Sequence, residues 1–145
     1  MNEFIEQRII TAVRRLLTGR VNELLSKTEY AIPLVEFGGY EGTNVVAPVI
    51  TLGSCESTEK ERIIRLDAYS LVIGVTFAET SESELYCYAF AGTISRAFYD
   101  NPTLGGVVDR AFVTSKKITP PKKKNCGGEW ELTVTLRITV EGIQK

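Results

Sequence analysis

Three cysteines, a set of lysines, a cluster of glycines and a scatter of carboxylates are the groups in this sequence whose types and spacing bear on chemistry. No histidine occurs, which removes the commonest metal ligand and the only side chain whose unperturbed pKa lies near neutrality. That disfavours a histidine-based hydrolase outright. Cys55, Cys87 and Cys126 are odd in number, far apart and without a Cys-x-x-Cys pair, which reads as reduced thiols of a cytosolic protein. Cys55 and Cys126 are expected in loops, where a thiolate could be a nucleophile, but no histidine exists to activate one. Gly38-Gly39-Tyr40-Glu41-Gly42 could cradle an anion, yet no Gly-Lys-Ser/Thr follows, so a plain turn is the better reading. Glu56, Glu59, Glu61, Glu79, Glu82 and Glu84 fall in polar turns or at a helix start, where carboxylates serve solubility and the helix dipole. Lys116, Lys117, Lys122, Lys123 and Lys124 could neutralise phosphates, but they lack interleaved aromatics and arginine forks, and a solvated or protein-contacting loop is preferred. The residues therefore predict no catalytic group, no cofactor and no metal site.

The elements that position these groups follow from periodicity. From Asn2 to about Lys27, apolar residues keep one helical face apolar, with Gly19 predicting an end or bend near Thr18 to Arg20. Ala31 to Phe37 reads as a short first strand, at an edge or a strand start because Pro33 cannot donate to a ladder. Val45 to Ser57 is a second extended segment, and Glu61 to Phe77 is a long third one. The latter's second half, Leu71, Val72, Ile73, Val75 and Phe77, is apolar on both faces and is expected inside the domain. The hairpin tip, Glu56 to Arg65, then projects past the core, either as a solvated ornament or as an arm gripping a neighbouring subunit. Ser81-Glu82-Ser83-Glu84 has the form of a capping box. It opens a second helix whose buried stripe is Cys87, Phe90, Ala91, Ile94, Ala97 and Phe98, so Cys87 is expected in the core.

Asn101-Pro102-Thr103-Leu104-Gly105-Gly106 stops that helix, and two adjacent glycines give the backbone room to turn into a strand. Val107 to Ile118 is a fourth strand. Glu129 to Glu141 is a fifth, with Trp130, Leu132, Val134, Leu136, Ile138 and Val140 on its core face. Between them, 116–128 reads as a long basic loop. The prediction is an α+β fold: a mainly antiparallel sheet of about five strands with two helices packed on it, in the order helix, three strands, helix, two strands.

Composition sets the remaining bounds. At this length one domain, 1–145, is expected, with a projecting hairpin at about 50–67. No apolar run approaches the ~20 residues needed to cross a bilayer, and no secretion signal is readable at the N-terminus. The lysines of 116–128 supply five positive charges, so the rest of the chain carries a net −6 against −1 for the whole.

With these elements in order, the chain resembles the tail terminator (tail completion) proteins of long-tailed bacteriophages and prophages. The resemblance runs over nearly the whole length. It rests on the long first helix, Ile32-Pro33-Leu34-Val35, the charged hairpin, the apolar strand near Leu71, Leu104-Gly105-Gly106 between helix and strand, and the last strand led by Trp130. It implies a non-enzymatic α+β subunit that forms a ring, usually a hexamer, on the end of the tail tube. Such a ring stops tube growth and offers a docking face to the head connector. The implied partners are the chain itself, tail tube protein and connector protein, with transient DNA passage and no membrane. The implied setting is the bacterial host cytoplasm during assembly and then the virion tail. The loops facing tube and connector would carry the contacts, which nominates Tyr40, Glu41, Asn44, Glu56, Glu59, Lys60, Glu61, Arg62, Lys116, Lys117, Lys122, Lys123 and Lys124, with Leu104, Gly105 and Gly106 as a structural turn. The lysine-rich loop departs from the family pattern. A head–tail joining or other minor tail protein, or a small binding module, are the alternatives that the residues leave open.

Overall fold

The computed structural model describes residues 4–32, 34, 47–61, 64–123 and 127–143. Its N-terminal helical rod forms because apolar side chains recur every four residues: Ile9, Val13, Leu17, Val21 and Leu25 are all essentially inaccessible to solvent. An ideal α-helix turns 100° per residue, so a strict four-residue repeat drifts by about 160° between Ile9 and Leu25. A wider turn in the rod takes up part of that drift. Helix α1 spans Ile5–Leu16, a π turn covers Leu17–Val21, and α2 continues over Asn22–Leu25. The bend expected at Gly19 is therefore a π turn, in which five residues do the work of four and the apolar stripe stays in register. Around it, Thr18 Oγ1 donates to the Arg14 carbonyl at 2.9 Å and Asn22 Nδ2 to the Thr18 carbonyl at 3.0 Å.

Four strands form one open antiparallel sheet: β1 (Val49–Glu61), β2 (Ile64–Ala78), β3 (Arg110–Thr119) and β4 (Glu129–Ile143), in the spatial order β1-β2-β4-β3. The helices, α3 (Ser83–Asp100) and the N-terminal rod, pack on one face. On that face β2 buries Tyr69, Leu71, Ile73, Val75 and Phe77, and β4 buries Leu132, Val134, Leu136 and Ile138, with Trp130 and Val140 half-buried. The expected stripe of α3, from Cys87 to Phe98, faces them and is buried. Phe77 anchors the contact, edge-on to Phe90 at 4.9 Å and stacked on Tyr86 at 5.9 Å. Among the described residues, no helix is long and apolar enough to cross a membrane.

Several expectations are corrected. Among the described residues the sheet has four strands, where about five were expected. Ala31 and Ile32 are not in a strand, and Leu34 makes only an isolated bridge. The reason is that the Asn22 side chain engages both backbone polar groups of Leu34, accepting from its N–H at 2.8 Å and donating to its carbonyl at 2.9 Å. Pro33 and 35–37 lie outside the described residues. Burial of β2 on both faces is not found either. Val72 is half-buried because the sheet carries helices on one side only. The capping box expected at Ser81 does not form, and a hydrogen-bonded turn on Thr80 and Ser83 precedes the helix instead. Ser83 Oγ accepts from the Thr80 N–H at 2.7 Å and donates to the Ala78 carbonyl at 2.8 Å, and Thr80 Oγ1 accepts from the Glu82 N–H at 3.2 Å. A buried Ser83 hydroxyl must bond the backbone around it, which fixes the helix start two residues beyond Ser81.

Candidate functional site

The β1–β2 hairpin is longer than the helical layer that covers it. Pairing runs from Val49 opposite Gly74 to Glu61 opposite Ile64, so the two strands join across residues 62 and 63. A shift in register falls between Leu52 and Cys55, where Gly53 lets the strands approach: a Cβ there would meet the Ser70 carbonyl oxygen at 3.2 Å. Beyond Tyr69, β2 continues to Ile64, about 17 Å toward the tip at 3.3 Å per residue. The end of β4 accompanies it, pairing Val140 with Asp67 and Ile143 with Ile64. The projecting feature is thus a three-stranded tongue in place of a lone hairpin.

A polar cluster fastens the root of this tongue to the body. Asp67 is buried on the core-facing side, where it accepts from Ser57 Oγ at 2.6 Å and from Arg65 Nη2 at 3.1 Å. Two residues inward, the Tyr69 hydroxyl donates to Glu6 Oε2 of α1 at 2.5 Å. Burial, and then its bond to the Glu6 carboxylate, push the Tyr69 phenol well above its ordinary pKa, so it stays a donor at neutral pH. On the other face, Lys60 of β1 pairs with Glu141 of β4 across β2. These contacts hold the tongue out from the body. They leave Glu56 and Glu59 exposed on β1, where neither makes an ion pair or hydrogen bond with a described residue.

The helix-to-strand turn is built on backbone. Leu104, Gly105 and Gly106 all take positive φ, at 51°, 71° and 88°. Thr103 holds the turn together: its carbonyl accepts from the N–H groups of Gly106 at 3.0 Å and Val108 at 3.1 Å. Leu104 accepts an unfavourable conformation because its side chain is buried against the core. This turn also moves the start of β3 from the expected Val107 to Arg110.

The turn and α1 enclose a groove of about 550 Å3, lined by Arg8, Thr11, Ala12, Arg15, Leu16 and Arg20 on the helical side and by Asn101, Leu104, Gly105 and Val107 opposite. Sequence reasoning missed it. Arg8 and Arg15 read as ordinary exposed helix positions, and only their shared face with Thr11 and Ala12, at spacings of three, four and seven, hinted at a common surface.

The nominated lysines do not form one loop. Lys116 and Lys117 lie within β3, opposite Val134 and Thr133, and so point to opposite faces of the sheet. The ladder to β4, where Thr133 and Thr135 alternate with Leu132, Val134 and Leu136, outcompetes the loop that their charge suggested. Lys116 lines a second groove, of about 650 Å3, with Tyr99, Phe112 and Val113 between α3 and β3. Lys122 and Lys123 are exposed after β3. Lys124, Tyr40, Glu41, Asn44, Arg62 and the glycines at 38, 39 and 42 lie outside the described residues. Glu61 is placed by its backbone pairing alone.

The cysteines separate cleanly. Cys55 lies in β1, opposite Tyr69, and not in a loop as expected, because the register shift at Gly53 returns it to the ladder. It is exposed. Cys87 is buried in α3, and burial pushes its thiol up to about 11, so it is protonated and inert at neutral pH. Cys126 lies outside the described residues. No family model matches this chain, and no curated protein matches it.

Proposed function

We propose that this protein is a non-catalytic structural subunit that assembles head to tail into a ring, closes the end of a phage tail tube and presents a docking face to the head connector. The reading rests first on the resemblance to tail terminator proteins. The observation that supports it most directly is the braced tongue, β1 and β2 with the end of β4, which carries the exposed carboxylates Glu56 and Glu59, neither bonded to a described residue. Charged side chains held on a long braced sheet extension suit contact with a neighbour better than local stability.

The test is capping. Tail tube protein from the same phage is polymerised alone and with this protein, and tube lengths are measured by negative-stain electron microscopy. The expected result is shortened tubes carrying a ring at one end only, and a free oligomer near six times the 16.1 kDa chain in light scattering. Tubes that elongate normally in excess protein would overturn the reading.

A further inference from the structure

The groove between α1 and the Leu104-Gly105-Gly106 turn holds two arginines, Arg8 and Arg15, that no described residue balances. Arg20, at one end, is paired with Glu23 at 2.9 Å and lies 3.6 Å from Asp100. Arg8 and Arg15 are exposed and make no ion pair or hydrogen bond with a described residue. No carboxylate is among the residues lining the groove. Two guanidinium groups on one helix face, seven residues apart, stand about 10.5 Å apart along the axis. Arginine forks at that spacing are suited to two separate carboxylates, each held by paired N–H donors.

The complementary charge is on the same chain, in the wrong place to satisfy it. Glu56 and Glu59 are exposed on β1, an edge strand of the described sheet, and neither bonds a described residue. Three residues along a strand span about 10 Å, which matches the spacing of the arginines. An odd spacing places the two carboxylates on opposite faces of the strand, so they flank its open edge and both reach a surface that meets the strand edge-on. Neither carboxylate forms an ion pair with Arg8 or Arg15 of its own chain, so two unlike, mutually complementary patches remain open.

From this we infer that the groove of one subunit receives the acidic edge of the tongue of a second copy, with Arg8 and Arg15 pairing Glu56 and Glu59. The inference names the subunit contact of the ring and rests on that reading. The two patches differ, so each docked copy leaves one groove and one tongue free for the next, which is the arrangement a closed head-to-tail ring requires. Rim charges of this kind govern encounter and salt dependence, so the contact weakens as ionic strength rises.

Two neutralised proteins separate the contact from the ring: Arg8→Ala with Arg15→Ala, and Glu56→Gln with Glu59→Gln. All four side chains are exposed, and unchanged melting temperatures would show both variants folded. Each variant alone is expected to be monomeric by sedimentation velocity where the native chain assembles. Mixed, they retain one intact groove and one intact tongue, and are expected to give a 1:1 complex at twice the 16.1 kDa mass that dissociates about tenfold more readily in 0.5 M than in 0.05 M NaCl. If the native chain forms rings and both variants form them equally well, this contact is overturned while the ring reading stands. If the mixture pairs but the native chain stops at dimers, the contact holds and the ring reading falls. A native chain that stays monomeric, with variants that do not pair, overturns both.

Discussion

Backbone conformation decides what single residues tolerate at the turn after α3. Gly92, in α3, and Gly106, in the turn, both have open space where a Cβ would go, yet they call for opposite outcomes. Gly106 holds φ at +88°, a region closed to β-branched side chains, whereas Gly92 is an exposed helical position. Gly106→Val is expected to cost about 2 kcal/mol and to lower the melting temperature by several degrees. Gly92→Ala is expected to add up to about 1 kcal/mol through helix propensity. Thermal melts of both proteins check the pair, and equal stability of Gly106→Val and the native protein would remove the conformational account of the turn. The glycine pair itself was legible in the sequence. That Leu104 joins it at φ 51° was not, because a non-glycine residue enters this region only when core packing compels it.

At the scale of elements, the N-terminal rod shows how a pattern and its geometry are reconciled. Its apolar stripe could be read directly, but the strict spacing of four between Ile9 and Leu25 fits one face only with a turn wider than α. Removing one residue from the π turn returns the helix to ordinary pitch and leaves α1 and α2 in place on either side. Deletion of Gly19 is therefore expected to leave the fold intact, with a melting temperature within a few degrees of native. Deletion of Thr11, in regular α-helix, rotates Ile5 and Ile9 off the core and is expected to cost about 1.5–3 kcal/mol for Ile9 alone. Equal damage from the two deletions would mean that the π turn does not set the phase. The strands teach a related lesson. Alternation in β4 marked its core face correctly, and the stripe of α3 was equally plain. Among the described residues of the expected first strand, Ala31 and Ile32 are not extended into a ladder, and the Asn22 side chain, twelve residues from Leu34, takes both backbone groups of Leu34.

Charge acts at the scale of the whole molecule. Lys122 and Lys123 are exposed after β3, and exchanging both for glutamate is expected to leave the melting temperature unchanged, since exposed substitutions typically shift stability by no more than about 0.5 kcal/mol. If the proposed ring reading holds, the same protein is expected to cap tail tubes poorly, and normal tube lengths in its presence would reduce these lysines to solvated decoration. The α+β class, the core stripes of α3 and β4, the stop after α3 and the long hairpin were all determined by sequence alone, because each follows from local period and turn chemistry. Sheet order, the joining of β4 to the hairpin and the arginine groove were decided only by tertiary structure. They depend on which distant segments meet: Arg8 and Gly105 share a groove, and Ser57 reaches Asp67, through strand register and helix packing that no local pattern encodes.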